Sequence, residues 1–186
     1  MGLAATNINY AGLPVSATNP LTVGGAVLNP TANFTRPSDT TAYASGDLVA
    51  NSTTAGSVAA MSLTVTNTAA GSFMLRRLKL HKSGTSTTNA SFRVHFYRGS
   101  ATITCANGDN AAFSTDQVAN YLGAFDVTID RAFTDGAAGL GLPVVGNDIN
   151  IKNASGSTIQ ALIEARAAYT PANAEVFTVT LDDLVN

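Results

Sequence analysis

The sequence predicts an all-β fold: an antiparallel β-sandwich, jelly-roll-like, over residues 34–186, with an extended N-terminal arm over residues 1–33. Three observations lead there. Apolar residues recur with a period of two in short segments. The stretches between those segments are built from Gly, Asn, Ser and Thr, which form turns. No stretch carries an apolar stripe at helical spacing. Eight segments of strand character can be read, which suits a jelly roll first and an immunoglobulin-like sandwich second.

The arm comes first. Pro14, Pro20, Pro30 and the Gly24-Gly25 pair interrupt short apolar pieces that never settle into a period. Its apolar beads, among them Tyr10, Leu13, Val15, Leu21 and Val23, make it too hydrophobic for a solvated linker. It is expected to lie along its own domain or along a partner, with the partner preferred.

A weak strand follows at residues 43–50, then a clear one at 61–66 with Met61, Leu63 and Val65 on one face. Residues 73–82 place Met74, Leu78 and Leu80 on one side and Arg77, Lys79 and His81 on the other. Residues 91–98 repeat the scheme, with Phe92, Val94 and Phe96 inward and Arg93, His95 and Tyr97 outward. The turn formers of residues 83–89 read as a hairpin loop, which makes those two strands neighbours. Residues 121–129 align Tyr121, Phe125, Val127 and Ile129, and further strands fall at 148–152, 158–169 and 175–182, with a turn at 153–156. The composition of 158–169 also suits a short helix, but Gly156, Pro171 and the alternation Ile159, Ala161, Ile163 favour a strand. Residues 103–120, and 130–147 with Gly136, Gly139, Gly141, Gly146 and Pro143, read as long loops at the ends of the sandwich.

Composition narrows the class of protein. The 186 residues fit one domain, and 45% apolar content with eight Phe, five Tyr and no Trp is enough for a core without staples. Only 12% of residues are charged, where about 25% is usual, so the surface is expected to be neutral and polar. A net charge of -2 offers no global field for nucleic acid or an acidic membrane, and neither partner is expected. With one cysteine, Cys105, there is no internal disulfide and no thiolate metal cluster. No basic start leads into an apolar signal-like run, so assembly in cytoplasm is expected, and the Asn-X-Ser/Thr matches at Asn33, Asn51, Asn89 and Asn153 read as composition.

The supply of reactive groups is thin. His81 and His95 come close if their strands pair, but a third ligand is missing and Arg77, Lys79 and Arg93 would repel a cation, so no metal is expected. Asp109 and Asp116 have the flavour of a calcium loop without its closing Glu, and turn formation by Asn107-Gly108 explains the stretch more simply. Cys105 has no histidine partner in sequence and reads as an inert thiol. Gly24-Gly25 lacks the glycine spacing of a phosphate loop. No catalytic residue and no cofactor are expected.

Charge is segregated along the chain. Between Leu48 and Gly108 no acidic residue occurs, yet Arg76, Arg77, Lys79, Lys82, Arg93 and Arg98 lie there; after Gly108 ten carboxylates face Arg131, Lys152 and Arg166. Either the basic strands lie beside acidic ones and cancel, or Arg77, Lys79, His81, Arg93, His95 and Tyr97 form an outward surface for a partner protein; nucleic acid is a third reading, held back by only six basic charges and the net acidity.

The stretches Arg36-Pro-Ser-Asp-Thr-Thr-Ala-Tyr-Ala-Ser-Gly-Asp-Leu-Val-Ala-Asn51, Leu80-His-Lys-Ser-Gly-Thr-Ser-Thr-Thr-Asn-Ala-Ser-Phe-Arg-Val-His-Phe-Tyr97 and Asn107-Gly-Asp-Asn-Ala-Ala-Phe-Ser114 resemble small proteins of tailed bacteriophages and prophages encoded near the major capsid protein. The similarity covers roughly residues 34–127. It implies a virion structural role, as a capsid decoration or cement protein that binds the major capsid protein on the outer capsid surface, with a jelly-roll-like sandwich and no catalytic residues. Homo-oligomers, dimer or trimer, are expected, since such proteins dock in many copies on a shell. The alternative is a carbohydrate-binding or host-attachment domain, disfavoured by the absence of Trp.

Overall fold

The computed structural model describes residues 9–10, 13–14, 26–65, 72–99, 103–110, 118–144, 149–152 and 158–185. The strands in chain order are β1 (Asn9–Tyr10), β2 (Leu13–Pro14), β3 (Ala26–Leu28), β4 (Thr31–Thr35), β5 (Leu48–Val49), β6 (Met61–Thr64), β7 (Ser72–Lys82), β8 (Ser91–Arg98), β9 (Tyr121–Thr128), β10 (Arg131–Phe133), β11 (Gly136–Pro143), β12 (Ile149–Lys152), β13 (Thr158–Ala165) and β14 (Val176–Val185). Among the described residues the only helical piece is a single 3-10 turn at Val118–Asn120.

Twelve of these strands form one antiparallel sheet, in which β14, β7, β11, β9, β8 and β13 are successive neighbours. β3 and β4 add to β14, β5 and β6 add to β13, and β12 continues the line of β11 along β7. The two margins of the sheet meet where β4 lies against β6. The result is a jelly-roll-like β-sandwich wrapped around one main core. Phe92 on β8 packs edge-on to Phe177 on β14 at 5.3 Å and to Tyr169 at 5.1 Å, although β8 and β14 are not sheet neighbours. Those contacts span the interior and tie its two layers, at about 0.5–1.5 kcal/mol per aromatic pair beyond simple burial.

The period of two does what the sequence leads one to expect in β8, where Phe92, Val94 and Phe96 are fully buried, and in β6, where Met61 and Leu63 point inward. In β7 the alternation breaks. Phe73 and Leu75 are buried, then Arg76 and Arg77 are both exposed, then Leu78, Leu80 and Lys82 are buried. A register shift opposite Asp182 and Asp183 inserts one extra residue, a β-bulge that flips the faces. Met74, expected inward with Leu78 and Leu80, therefore falls on the other side. Tyr121 is likewise displaced from the face of Phe125 and Val127 by an irregularity opposite Phe96 and Tyr97, and it is exposed.

Two further expectations are corrected. β7 and β8 do not form a hairpin: β11 and β9 stand between them. The connecting loop crosses one end of the sandwich, held at Ser83, whose N–H donates to the Val176 carbonyl, and at Ala90, whose carbonyl accepts from Ile129 N–H. Residues 130–147 are not simply a loop, because β10 and β11 form a hairpin and β11 enters the centre of the sheet. The glycines that look like loop residues make that entry possible. A Cβ on Gly139 would lie 2.1 Å from the Thr128 carbonyl oxygen, and one on Gly141 would lie 2.5 Å from Val127. Of the segment 1–33, Ala26–Leu28 and Thr31–Asn33 pair with β14 as part of the main sheet.

Candidate functional site

The outward residues of β7 and β8, where a partner surface is expected, sit within the sheet beside acidic strands. Arg77 reaches Asp182 on β14, with Nε to Oδ2 at 2.6 Å. Arg93 grips Asp126 on β9 with two bonds, at 2.6 and 2.7 Å. Hydrogen bonding from Arg93 holds the Asp126 carboxyl below the usual carboxylate range. His95 lies 2.9 Å from Glu164 on β13 and 3.3 Å from the Tyr121 hydroxyl, and Arg166 donates to the other Glu164 oxygen at 2.8 Å. Burial lowers the His95 pKa despite that carboxylate. Burial opposes the charge of Glu164 too, but the bonds from His95 and Arg166 outweigh it and keep its pKa low. A neutral His95 donating from Nε2 to an ionised Glu164 satisfies both directions.

Tyr97 is not available to a partner. It is buried with Leu48, Ala50, Val58, Ile103, Cys105 and Leu162 in a second, small core on the outer side of β8 and β13, and burial pushes its hydroxyl pKa up to about 12. Burial likewise raises the Cys105 thiol, which agrees with an inert role. His81 and His95 do not approach each other, since two strands separate them. Lys79 and His81 remain exposed on β7, beside a shallow groove lined also by Phe133, Asp135 and Gly136. Among the described residues Lys79 makes no ion pair, and no three His, Cys, Asp or Glu side chains converge as a metal site would require. Of the arm residues, Tyr10 pairs with Leu13 in the β1–β2 ladder; Val15, Leu21 and Val23 lie outside the described residues.

Residues 48–60 and 103–106 cover the second core, and beside it the stretch Arg36 to Asn51 joins Asn107 to Asn110. Asn107 Oδ1 accepts from the Tyr43 hydroxyl at 2.6 Å and from Ala50 N–H at 2.9 Å. Leu48 N–H donates to Asp109, Gly108 N–H donates to Leu48, and Asp47 bridges Asn110. The buried Arg36 donates to the Tyr43 hydroxyl and to Asp39. Asp109 Oδ2 accepts from Ala106 N–H at 2.6 Å, and Gly108 adopts φ +85°, so this stretch is a turn. Next to it lies a buried polar group that sequence reading overlooks. Lys82 contacts Glu175 at 3.1 Å and the Gly84 carbonyl at 2.8 Å, and the Tyr169 hydroxyl donates to Glu175.

The feature left over on the surface is apolar. Phe133, Leu140, Leu142 and Val144 are all more than two-fifths exposed, and Leu142 reaches 67%. Leu140 and Leu142 stand outward on β11 between the charged columns of β7 and β9. The signal for them is the repeat Gly139-Leu140-Gly141-Leu142, a period of two with the small residue turned inward.

No protein-family model and no curated protein sequence matches the chain. Among solved structures it is similar to a chain in the cryo-EM structure of a virus-like particle of the giant freshwater prawn Macrobrachium rosenbergii extra small virus. That similarity has a TM-score of 0.27 and 11% identity, and it covers 99% of this chain and 94% of the other.

Proposed function

We propose that the protein is a non-catalytic structural protein of a phage virion that binds the outer surface of the capsid and stabilises contacts between major capsid protein subunits. One observation carries this reading. Two of the stretches in which the sequence resembles phage proteins encoded near the major capsid protein, residues 36–51 and the described part, 107–110, of the stretch that begins at Asn107, interlock in space through Tyr43, Asp47, Leu48, Asn107 and Asn110. The two stretches belong to one folded device, which supports reading them together. Pairing of Arg77 with Asp182 and of Arg93 with Asp126 within the chain leaves shape and apolar contact as the means of binding, reinforced by repetition on a lattice.

Residues 1–25, with Tyr10, Leu13, Val15, Leu21 and Val23, are the proposed capsid anchor, because Arg77 and Arg93 are engaged within the chain. The test is cosedimentation of the full chain, and of a chain lacking residues 1–25, with capsids stripped of this protein. Saturable binding in whole-number ratio to capsid subunits, lost on deletion, is expected. Absence of binding by the full chain overturns the capsid reading, and undiminished binding by the shortened chain overturns the anchor.

A further inference from the structure

We propose that the outer face of β14, β7, β11, β9 and β8 is the interface of a twofold dimer of this chain, with the symmetry axis running along β11. The register of the sheet places five side chains in one row. Asp182 lies opposite Arg77, and Arg93 lies opposite Asp126. Asp126 lies opposite Leu142, while Gly141 opposite Leu78 brings Leu142 level with Arg77. Across the strands the row reads Asp182, Arg77, Leu142, Asp126, Arg93.

This row is its own electrostatic complement. A twofold axis parallel to β11 between two facing sheets keeps each residue at its level and exchanges the two sides of the row. Leu142 then meets Leu142 of the second copy, Arg77 meets Asp126, and Asp182 meets Arg93. One level along, Leu140 meets its own equivalent, while the exposed Lys79, level with Leu140, faces the Thr128 column with Asp126 and Asp130 on either side. An axis perpendicular to the strands would instead set Arg77 against Arg77 and Asp126 against Asp126. The exposed apolar stripe of Leu140 and Leu142 supplies the desolvated centre of such an interface, and the ion pairs Arg77–Asp182 and Arg93–Asp126 form its polar rim.

The occupant is thus a second copy, and the inference does not depend on capsid binding. Light scattering of the purified full-length chain at tens of micromolar is expected to give the mass of a dimer. Leu140→Glu combined with Leu142→Glu should give a monomer, with the thermal midpoint of the monomer fold retained because both side chains face outward. In a Cys105→Ala background, Leu142→Cys should cross-link to a dimer under mild oxidation, whereas Thr128→Cys, off the axis, should cross-link at least tenfold more slowly. A wild-type monomer or trimer overturns the proposal, as does a dimer that survives the double substitution. Equal cross-linking at positions 128 and 142 overturns the axis.

Discussion

Asp183 is the residue whose environment departs furthest from its chemistry. It points inward from β14 opposite Leu75 and Leu28, fully buried, and neither carboxylate oxygen makes a full hydrogen bond, only the Met74 backbone N–H lying near enough to favour its charged form. Burial raises its pKa to about 7 from an ordinary 3.8. Because the folded value is the higher one, the folded state binds more protons between those limits. The contribution to stability is complete below pH 3.8 and is lost as pH rises towards 7, on the order of 4 kcal/mol at about 1.4 kcal/mol per pH unit. Asp183→Asn should remove this slope, so that the stability of the variant relative to wild type climbs between pH 4 and 7 and levels off above. Denaturant titrations of both proteins across that range give the difference directly, and a flat difference would sink the assignment. Lys82 poses the opposite case, a buried charge with partners. Lys82→Met leaves Glu175 buried and is expected to cost about 3–5 kcal/mol, whereas Lys82→Met with Glu175→Gln should recover part of that loss. Neither residue is legible in the sequence as special. Lys82 ends a strand whose period is broken by the bulge, and Glu175, just before β14, meets it from 93 residues away.

At the level of elements, the alternation of β6, β8, β13 and β14 is legible because side-chain direction in a strand is set by the next residue along. β7 is legible only in part, since the extra residue at Arg76 is specified by its pairing with β14 and not by its own pattern. β11 is misread for a chemical reason. Glycine is the commonest mark of a loop, yet Gly139 and Gly141 are small so that the chain leaving β9 can pass close beneath. Gly139→Val is therefore expected to unfold the centre of the sheet, costing at least 3 kcal/mol, while Gly99→Val, with open space around it but φ +70°, should cost only about 1–2 kcal/mol of backbone strain. Thermal melts of the two variants check the contrast, and similar losses in both would refute the packing argument. Of the residues expected to meet a partner, Arg77, Lys79 and His81 are exposed on β7, whereas those on β8 are partly covered. Tyr97 looks outward in the sequence and is outward in the sheet, but segments 48–60 and 103–106 fold over it.

For the whole molecule, β14 is the organising strand. It joins β3 and β4 from one end of the chain to β7 from the middle, so the sheet closes only when the last residues are in place. Deleting residues 1–25 leaves the pairing of β3 and β4 with β14 in place and should leave the thermal midpoint within about 2 °C of wild type. A larger drop would show that the arm contributes to the fold as well as to docking. By itself the sequence determined the fold class, the inward faces of the regular strands and the poverty of reactive groups, because alternation and composition are local quantities. Only the tertiary structure decided which strands are neighbours. Pairing depends on hydrogen bonds and loop closures between distant residues, and several arrangements share one local pattern. That decision cancelled the segregated charges of the sequence, setting Arg77 beside Asp182 and Arg93 beside Asp126, and left the leucines of β11 exposed between them.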